Sequence, residues 1–426
     1  MMRALGGVAA RAALLSGLAF APMSSQSGNP NPMDSIRKLP GYRPTHDSVP
    51  LLTPARIAAL APASQRAWLS YLARSRTRYT RDTAAMGREL RTAGLTVMTR
   101  GPYAHDFSVK PEMTPAWFTS DTAQRMANVV LSFQAPNGGW SKHVDFTKHA
   151  RQPGESYFAE SADWEWISTI DNDQTTEEIH FLARADRARG DARYEQAVVR
   201  GIDYVLASQY PNGCFPQVYP LEGSYHDAAT FNDNATVNAL TLLREDSTGT
   251  YPYSPATQRR RAAKAVTAGI DCILDSQVRV SGKLTGWGQQ HDPLTLEPTS
   301  ARSYELTSLT AQETAAIVDL LMTIPSPDAR VVRAVYGAAD WLEAIPIYGY
   351  SYAQYELKKQ DGAGPLWGRL YEIGTNHIMM ANRDGIKRYD WNELTDRRSG
   401  YGWYTTKPAA TLAAFKVWSH THPRQP

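Results

Sequence analysis

The stretch Ser168 to Glu178, STIDNDQTTEE, sets Asp171, Asp173, Glu177 and Glu178 beside Asn172, Gln174 and three threonines. A second stretch, FNDN from Phe231 to Asn234, flanks Asp233 with two asparagines. Carboxylate and amide oxygens are hard ligands that suit Ca²⁺ or Mg²⁺ rather than zinc. The first stretch is no EF-hand. With Asp171 at loop position one, position six is Thr176 instead of Gly and position twelve is Leu182 instead of Glu. An ion held here is therefore assembled from separate loops, with Asp171 and Asp233 as its acids and Asn172 beside the first. Two acids and an amide fall short of the oxygens Ca²⁺ wants, so water or the carboxylates of a ligand complete the shell. The plainer reading is that these residues cap helices and close turns. Thr175 or Thr176 with a following Glu serves as a cap, and Asp171 and Asn172 lie upstream of that first turn.

A second group of residues is basic and aromatic. Between residues 364 and 404, Arg369, Arg383, Lys387, Arg388, Arg397 and Arg398 alternate with Trp367, Tyr371, Tyr389, Trp391, Tyr401, Trp403 and Tyr404. Guanidinium forks bind carboxylates through two hydrogen bonds, and aromatic faces stack on sugar rings. An acidic polysaccharide fits both. Phosphate or nucleic acid fits them locally, but a formal charge of only +3 excludes a general nucleic-acid binder. Lys142 in GGWSKH and Arg302 in SARSYELTS join the same set of cations. Taken singly, each is satisfied by a place on a solvated charged face.

These residues need elements to position them, and the chain repeats. RMANVVLSFQAPNGGW, GIDYVLASQYPNGCF and AGIDCILDSQVRVSGKLTGW each run from an apolar helix through a glutamine to a glycine-bearing turn and an aromatic residue. Gln134, Gln209 and Gln277 mark one place in each, about seventy residues apart. GAADWLEAIPIYGYSY, from Gly337, is a degraded fourth copy. Between the copies lie TIDNDQTTEEIHFLARA, TFNDNATVNALTLLRE and LTSLTAQETAAIVDLLM, which open on polar residues and continue with helical apolar periodicity, as capped helices do. Continuous strand patterns are scarce. The expected architecture is all-α: helical hairpins wound into an (α/α) toroid or barrel with few short strands, the polar helix starts gathered at one end.

The first 24 residues, with Arg3 and Arg11 ahead of an apolar run, read as a signal peptide. Residues 25–50, rich in Pro, Ser and Asn, read as a linker, and 51–426 as the toroid domain. No run is long enough to span a membrane. The expectation is a secreted or periplasmic protein, a monomer, with neither nucleic acid nor membrane as partner. Cys214 and Cys272 allow one disulfide, but the preferred reading is two small buried residues. His180, His226, His291 and His377 are best read as structural.

Six ordered blocks, spread over about residues 112 to 405, carry a resemblance. They are TPAWFTSDTAQRMANVVLSFQAPNGGWSKHVDF, STIDNDQTTEEIHFLARA, SQYPNGCFPQVYP, YHDAATFNDNATVNALTLLRE, WGQQHDPLTLEPTSARSYELTSLT and RLYEIGTNHIMMANRDGIKRYD with RRSGYGWY. The chain resembles the pectate lyases of polysaccharide lyase family 10. The resemblance implies an (α/α) toroid, secretion, and Ca²⁺-assisted cleavage of polygalacturonate by β-elimination. It implies that Arg383, in the NRDG block, is the base that takes the C5 proton. It implies that Lys142, Asn172, Arg302, Arg369 and Arg398 bind substrate and that Asp171 and Asp233 hold the metal. A free guanidinium keeps its proton at ordinary pH, so such a base works in alkaline medium, aided by desolvation and neighbouring cations. Three places depart from the family pattern: Gly213-Cys214-Phe215, Ser141-Lys142-His143, and His377 to Asn382. They bear on substrate length and subsites more than on the reaction. Two other functions fit the same residues. One is an inverting glycoside hydrolase on this fold, using Asp171 and Asp233 as its carboxyl pair. The other is a non-catalytic binder of acidic glycans.

Overall fold

The computed structural model describes residues 49–105, 107–110, 112–159 and 168–424. The expected signal peptide, and all of the expected linker but residues 49 and 50, lie outside the described residues. Among the described residues nine longer helices follow in order: α1 (Pro62–Thr92), α2 (Asp121–Ser132), α3 (Thr176–Arg189), α4 (Ala192–Ser208), α5 (Ala235–Ser247), α6 (Ala256–Ser276), α7 (Ala311–Met322), α8 (Ala329–Ala344) and α9 (Lys407–Ser419). Helices α3, α5, α7 and α9 touch in sequence and form an inner layer; α4, α6 and α8 pack outside them. This is the layering of an (α/α) toroid. One apolar core runs through it, from Leu52 and Ile57 to Phe415 and Trp418. Among the described residues no helix is long and apolar enough to cross a membrane.

The glutamine repeat has a mechanical cause. Gln134 Nε2 donates to Gly138 O (2.7 Å) and Ala197 O (2.8 Å). Gln209 Nε2 donates to Gly213 O (2.9 Å) and Ala265 O (2.8 Å). Gln277 Nε2 donates to Thr285 O (2.7 Å) and Ala334 O (2.9 Å). Each amide thus closes its own turn and ties it to the next outer helix, satisfying carbonyls that the turn leaves without partners. The turn glycines are required by that close approach. Gly138 (φ +100) and Gly213 (φ +90) have positive φ, and a Cβ there would lie 2.5 Å from Arg200 O and 2.0 Å from Ala268 O.

The aromatic residue that ends each copy is buried behind the turn. Trp140 Nε1 donates to Val130 O (2.8 Å) and Trp287 Nε1 to Ile273 O (2.7 Å). In the fourth copy, which lacks the glutamine, Trp367 Nε1 donates to Leu342 O (2.8 Å) after an inserted hairpin, Tyr350–Ala353 with Glu356–Lys359. The second copy has Phe215 here and lacks this bond. Its neighbour Cys214 is instead joined to Cys272 of α6 by a disulfide, Cα–Cα 5.3 Å. The expectation of two separate buried cysteines is thereby corrected: they come from different hairpins, and only the winding of the toroid brings them together.

The capping expectation is also corrected. The outer helices α2, α4 and α8 are capped by the side chains of Ser120, Asp191 and Asp328. None of the inner helices α3, α5, α7 and α9 has a side-chain cap. Thr175 precedes α3, but its hydroxyl turns inward to Thr169 O (2.7 Å) and accepts from Trp140 N (3.0 Å). Strands are short. In one antiparallel sheet, Lys387–Arg388, Ile378–Ala381, Leu370–Tyr371 and Leu309–Thr310 lie side by side. The last of these leads straight into α7. The apolar run after His377 is explained by this sheet, whose strand Ile378–Ala381 is mostly buried.

The disulfide closes a loop of 58 residues. By chain entropy it stabilises the fold by about 4 kcal/mol. Replacing both Cys214 and Cys272 by Ala is expected to lower stability by about 2–4 kcal/mol; an unchanged denaturant midpoint would show the bond to be incidental.

Candidate active site

Two one-turn 3₁₀ segments, Asp171–Asp173 before α3 and Asn232–Asn234 before α5, pack against each other. Both are backbone-strained. Asn172 (φ 50), Asp173 (φ 63), Asp233 (φ 47) and Asn234 (φ 61) are left-handed, and so is the β-branched Thr175 (φ 64). Asn and Asp tolerate this region better than other side chains; a threonine there is a true outlier, costing about 1–3 kcal/mol. The two hydrogen bonds of the Thr175 hydroxyl hold it. The abundance of Asn and Asp in these stretches therefore has a backbone reason beside any ligand role.

Asp171 is almost fully buried and ion-paired with Lys142, whose ammonium also reaches Asn172 Oδ1 (3.3 Å). Burial pushes the Asp171 carboxyl up, but Lys142 prevails and holds it below the usual carboxylate range. The Gln217 amide also favours the charged form, yet Asp171 Oδ1 takes no hydrogen bond of normal geometry. Asp233 is more open, its side chain 27% exposed. Its Oδ1 accepts from Arg369 Nη2 (3.2 Å) and its Oδ2 from Asn232 Nδ2 (2.7 Å). Desolvation raises its proton affinity, Arg369 opposes this, and the negative field of Asp171, Glu313 and Glu305 leaves the net shift upward.

Arg369 is the buried centre of the cluster. Its Nη2 reaches Asn232 Oδ1 (3.0 Å), Asp233 Oδ1 and Glu313 Oε1 (3.3 Å), and its guanidinium lies 4.5 Å from the Tyr401 ring centre. Burial works against its charge, but Tyr401, Glu313 and Asp233 outweigh it and keep the group protonated. Gln289 lies alongside. With its amide oxygen turned to the guanidinium it accepts from Arg369 Nε at 3.0 Å.

Arg302 forms a two-pronged pair with buried Glu305 (2.7 and 2.6 Å) and stacks 4.9 Å from Tyr304. Burial lowers its proton affinity, Glu305 raises it, and the net is well above the ordinary arginine value. Arg383 is exposed; its Nη1 donates to Asp396 O (3.3 Å) and lies 3.8 Å from Asp396 Oδ2. Ser303 Oγ donates to Arg383 O (2.8 Å), fastening its loop beside Arg302. Arg398 stands apart at the rim, 3.4 Å from Glu356 and 5.2 Å from the Trp391 ring.

The structure thus unites Lys142, Asp171 and Asn172, joins Asp233 to Arg369, sets Arg302 and Arg383 alongside, and leaves Arg398 outermost. Sequence reasoning missed Glu305, Glu313 and Tyr304, and named Arg397 only as one of the basic set between residues 364 and 404. Glu305 stands three residues after Arg302, and Glu313 is the acid in the first turn of a mostly apolar helix; both were findable signals. Arg397 is buried, stacks 4.1 Å from Tyr304, and has no ion pair among the described residues. Burial and the neighbouring Arg383 and Arg302 depress its proton affinity, outweighing Tyr304. No feature of RR in sequence tells which arginine turns inward. The histidines behave structurally: His180 bridges Glu177 and Glu245, and buried His291 accepts from Gly288 N at 3.0 Å.

Among the described residues no group of three or more His, Cys, Asp or Glu gathers to hold a metal. The donor chemistry of the two acids still fits a hard divalent cation. Asp171 Oδ1 and Asn234 Oδ1 are buried oxygens without a hydrogen bond, and so few protein ligands require a ligand's own oxygens to finish the shell.

A family model described as pectic acid lyase matches residues 134–412. A family 10 polysaccharide lyase from Cellvibrio cellulosa matches in structure with a TM-score of 0.64 at 33% identity, over 74% of this chain and 99% of that one. A mutant of a family 10 polysaccharide lyase from the same organism, in complex with trigalacturonic acid, matches with a TM-score of 0.64 at 32% identity, over 73% and 99%. No curated protein matches. The family match spans more than half of the chain and holds every candidate residue from Lys142 to Arg398, so the protein belongs to the pectic acid lyase family and is a polysaccharide lyase.

Proposed function

We propose that this protein cleaves α-1,4-linked polygalacturonate by calcium-assisted anti β-elimination, leaving 4,5-unsaturated oligogalacturonides. The observation that carries it is the acid pair at the two adjoining turns, Asp171 with Lys142 and Asp233 with Arg369, with Arg302 sharing the Tyr401 ring with Arg369, in a family whose solved relative binds trigalacturonic acid. Asp171 and Asp233 would hold calcium. The bound ion would supply Lewis-acid withdrawal of charge from a uronate carboxylate, which acidifies the adjacent C5 proton.

The chain's own residues do the rest. Lys142 keeps Asp171 ionised, and Arg369 opposes the upward shift of Asp233. Arg302, Arg369, Lys142 and Asn172 position the uronate near the acids, and Arg398, stacked on Trp391, clamps a more distant carboxylate. Arg383 takes the C5 proton on a guanidine nitrogen. The C5–H electrons become the C4–C5 double bond, and the C4 glycosidic oxygen leaves with its bonding pair and is protonated by water. A second reading gives the base to Arg302. It is favoured by one observation: Tyr225 lies in the field of both Arg302 and Asp171, whereas among the described residues no contact links Arg383 to the acid pair. We also infer secretion; the leader-like start and the Cys214–Cys272 disulfide both accord with an oxidising exterior.

With polygalacturonate, the expected product absorbs in the ultraviolet, and chelation of divalent ions abolishes it reversibly. Shortened chains without that absorbance would indicate a hydrolase, and unshortened chains a binder. The Arg383→Lys variant is expected to lose at least about a hundredfold in kcat while retaining its fold. Should it keep full activity while Arg302→Lys fails, the base is Arg302. Because either base must be neutral to act, kcat is expected to climb through alkaline pH at saturating calcium. A neutral or acidic optimum rules out an arginine base.

A further inference from the structure

Helix α1 lies wholly outside the stretch matched by the family, yet it is fixed to the toroid. Tyr71 donates through its hydroxyl to Ser208 O (2.8 Å), Leu221 N donates to Ser75 Oγ (2.8 Å), and Trp68 packs against Tyr210. Its composition is lopsided. It carries seven arginines against Asp82 and Glu89, a net of +5, which exceeds the +3 of the whole chain. Counter-charge along the helix is limited: Asp82 offsets only part of the charge of Arg78 and Arg81, and Glu89 is committed elsewhere. Glu89 is engaged by Arg151 (2.6 Å) and by Gly154 N (2.6 Å), and Asp82 is buried.

Arg74, Arg78 and Arg81 fall on one face of α1, spaced by about 6 Å and 4.5 Å along its axis. They line a groove of about 430 Å³ with Ser70, Thr77 and Tyr219. Among the described residues Arg74 and Arg78 have no ion-pair partner, and Arg81, 59% exposed, reaches only Asp82 at 3.7 Å. The groove adjoins the active site through one strand pair: Tyr219 faces Ser168 in it, and Gln217, two residues before, neighbours Asp171. Two residues of strand cover only about 7 Å.

We propose that this arginine ladder is an accessory binding site for polyuronate, holding a second stretch of the polymer whose reactive unit lies at the acid pair. The assignment rests on the function proposed above. Three guanidinium forks at roughly regular intervals suit a chain that presents a carboxylate on every sugar, and a groove beside the catalytic end raises the local concentration of polymer there.

The test is the triple variant Arg74→Gln, Arg78→Gln and Arg81→Gln, compared with the parent on polygalacturonate and on trigalacturonate, with thermal unfolding to verify the fold. Each exposed contact is worth about two- to threefold, so KM for the polymer is expected to rise about tenfold, with kcat and trimer kinetics unchanged. Parent migration in a gel containing polygalacturonate should be retarded, and the variant's much less so. An unchanged polymer KM and unchanged retardation overturn the proposal. So does loss of binding to phosphatidylglycerol vesicles with polymer KM intact, which would assign the ladder to a membrane surface. If the parent yields no ultraviolet-absorbing product at all, the function falls, while gel retardation still reports on the ladder.

Discussion

Two carboxylates at adjacent turns are the constraint around which the rest is arranged. The field of Asp171 makes Asp233 costlier to ionise, and both are drawn out of water. Each is given its own cation: Lys142 from the first repeat turn, Arg369 from the bend between the strands Trp367–Gly368 and Leu370–Tyr371. Removing the partner of a buried charge costs about 3–5 kcal/mol, so neither cation is dispensable even before substrate arrives. Arg369 is in turn shared among Asn232, Asp233 and Glu313. The site is thus a set of opposed charges, Lys142 with Asp171, Arg369 with Asp233 and Glu313, and Arg302 with Glu305, tied to three different helix starts and two loops.

That arrangement explains why the two ends of the toroid are built differently. The outer helices α4 and α8 carry ordinary side-chain caps at their N-termini and α6 starts on Pro255 without one, while the inner helices all leave theirs uncapped. The inner starts also hold the left-handed Asn172, Asp173, Asp233 and Asn234 and the strained Thr175. Strain and open amide ends are tolerable where a rigid repeat fixes everything around them. The positive ends of four helix dipoles then point toward the end that carries Asp171 and Asp233.

Much of this was legible in the sequence. The glutamine spacing predicted stacked hairpins because each glutamine makes the same two bonds in each turn. Asp171 and Asp233 were singled out by an excess of oxygen side chains over capping needs, although the caps proved absent and the left-handed backbone accounts for part of the excess. What stayed hidden depended on tertiary direction. In Arg397-Arg398 the sequence offered two equal arginines; the fold buries the first against Tyr304 and sends the second to Glu356. The disulfide was hidden for the same reason, its two halves lying in turns that meet only once the helices are wound.

The second repeat is sutured by a different chemistry from its sisters. Where three copies pin an indole to the preceding helix, this one has Phe215, which has no donor, and a sulfur bridge one residue earlier. Phe215 O accepts from Thr230 N (2.9 Å), at the head of the loop that carries Asp233. A thiol-rich milieu would therefore act on this enzyme at one address, loosening the rim under one of its two acids while the other three turns stay fastened by bonds that no reductant touches.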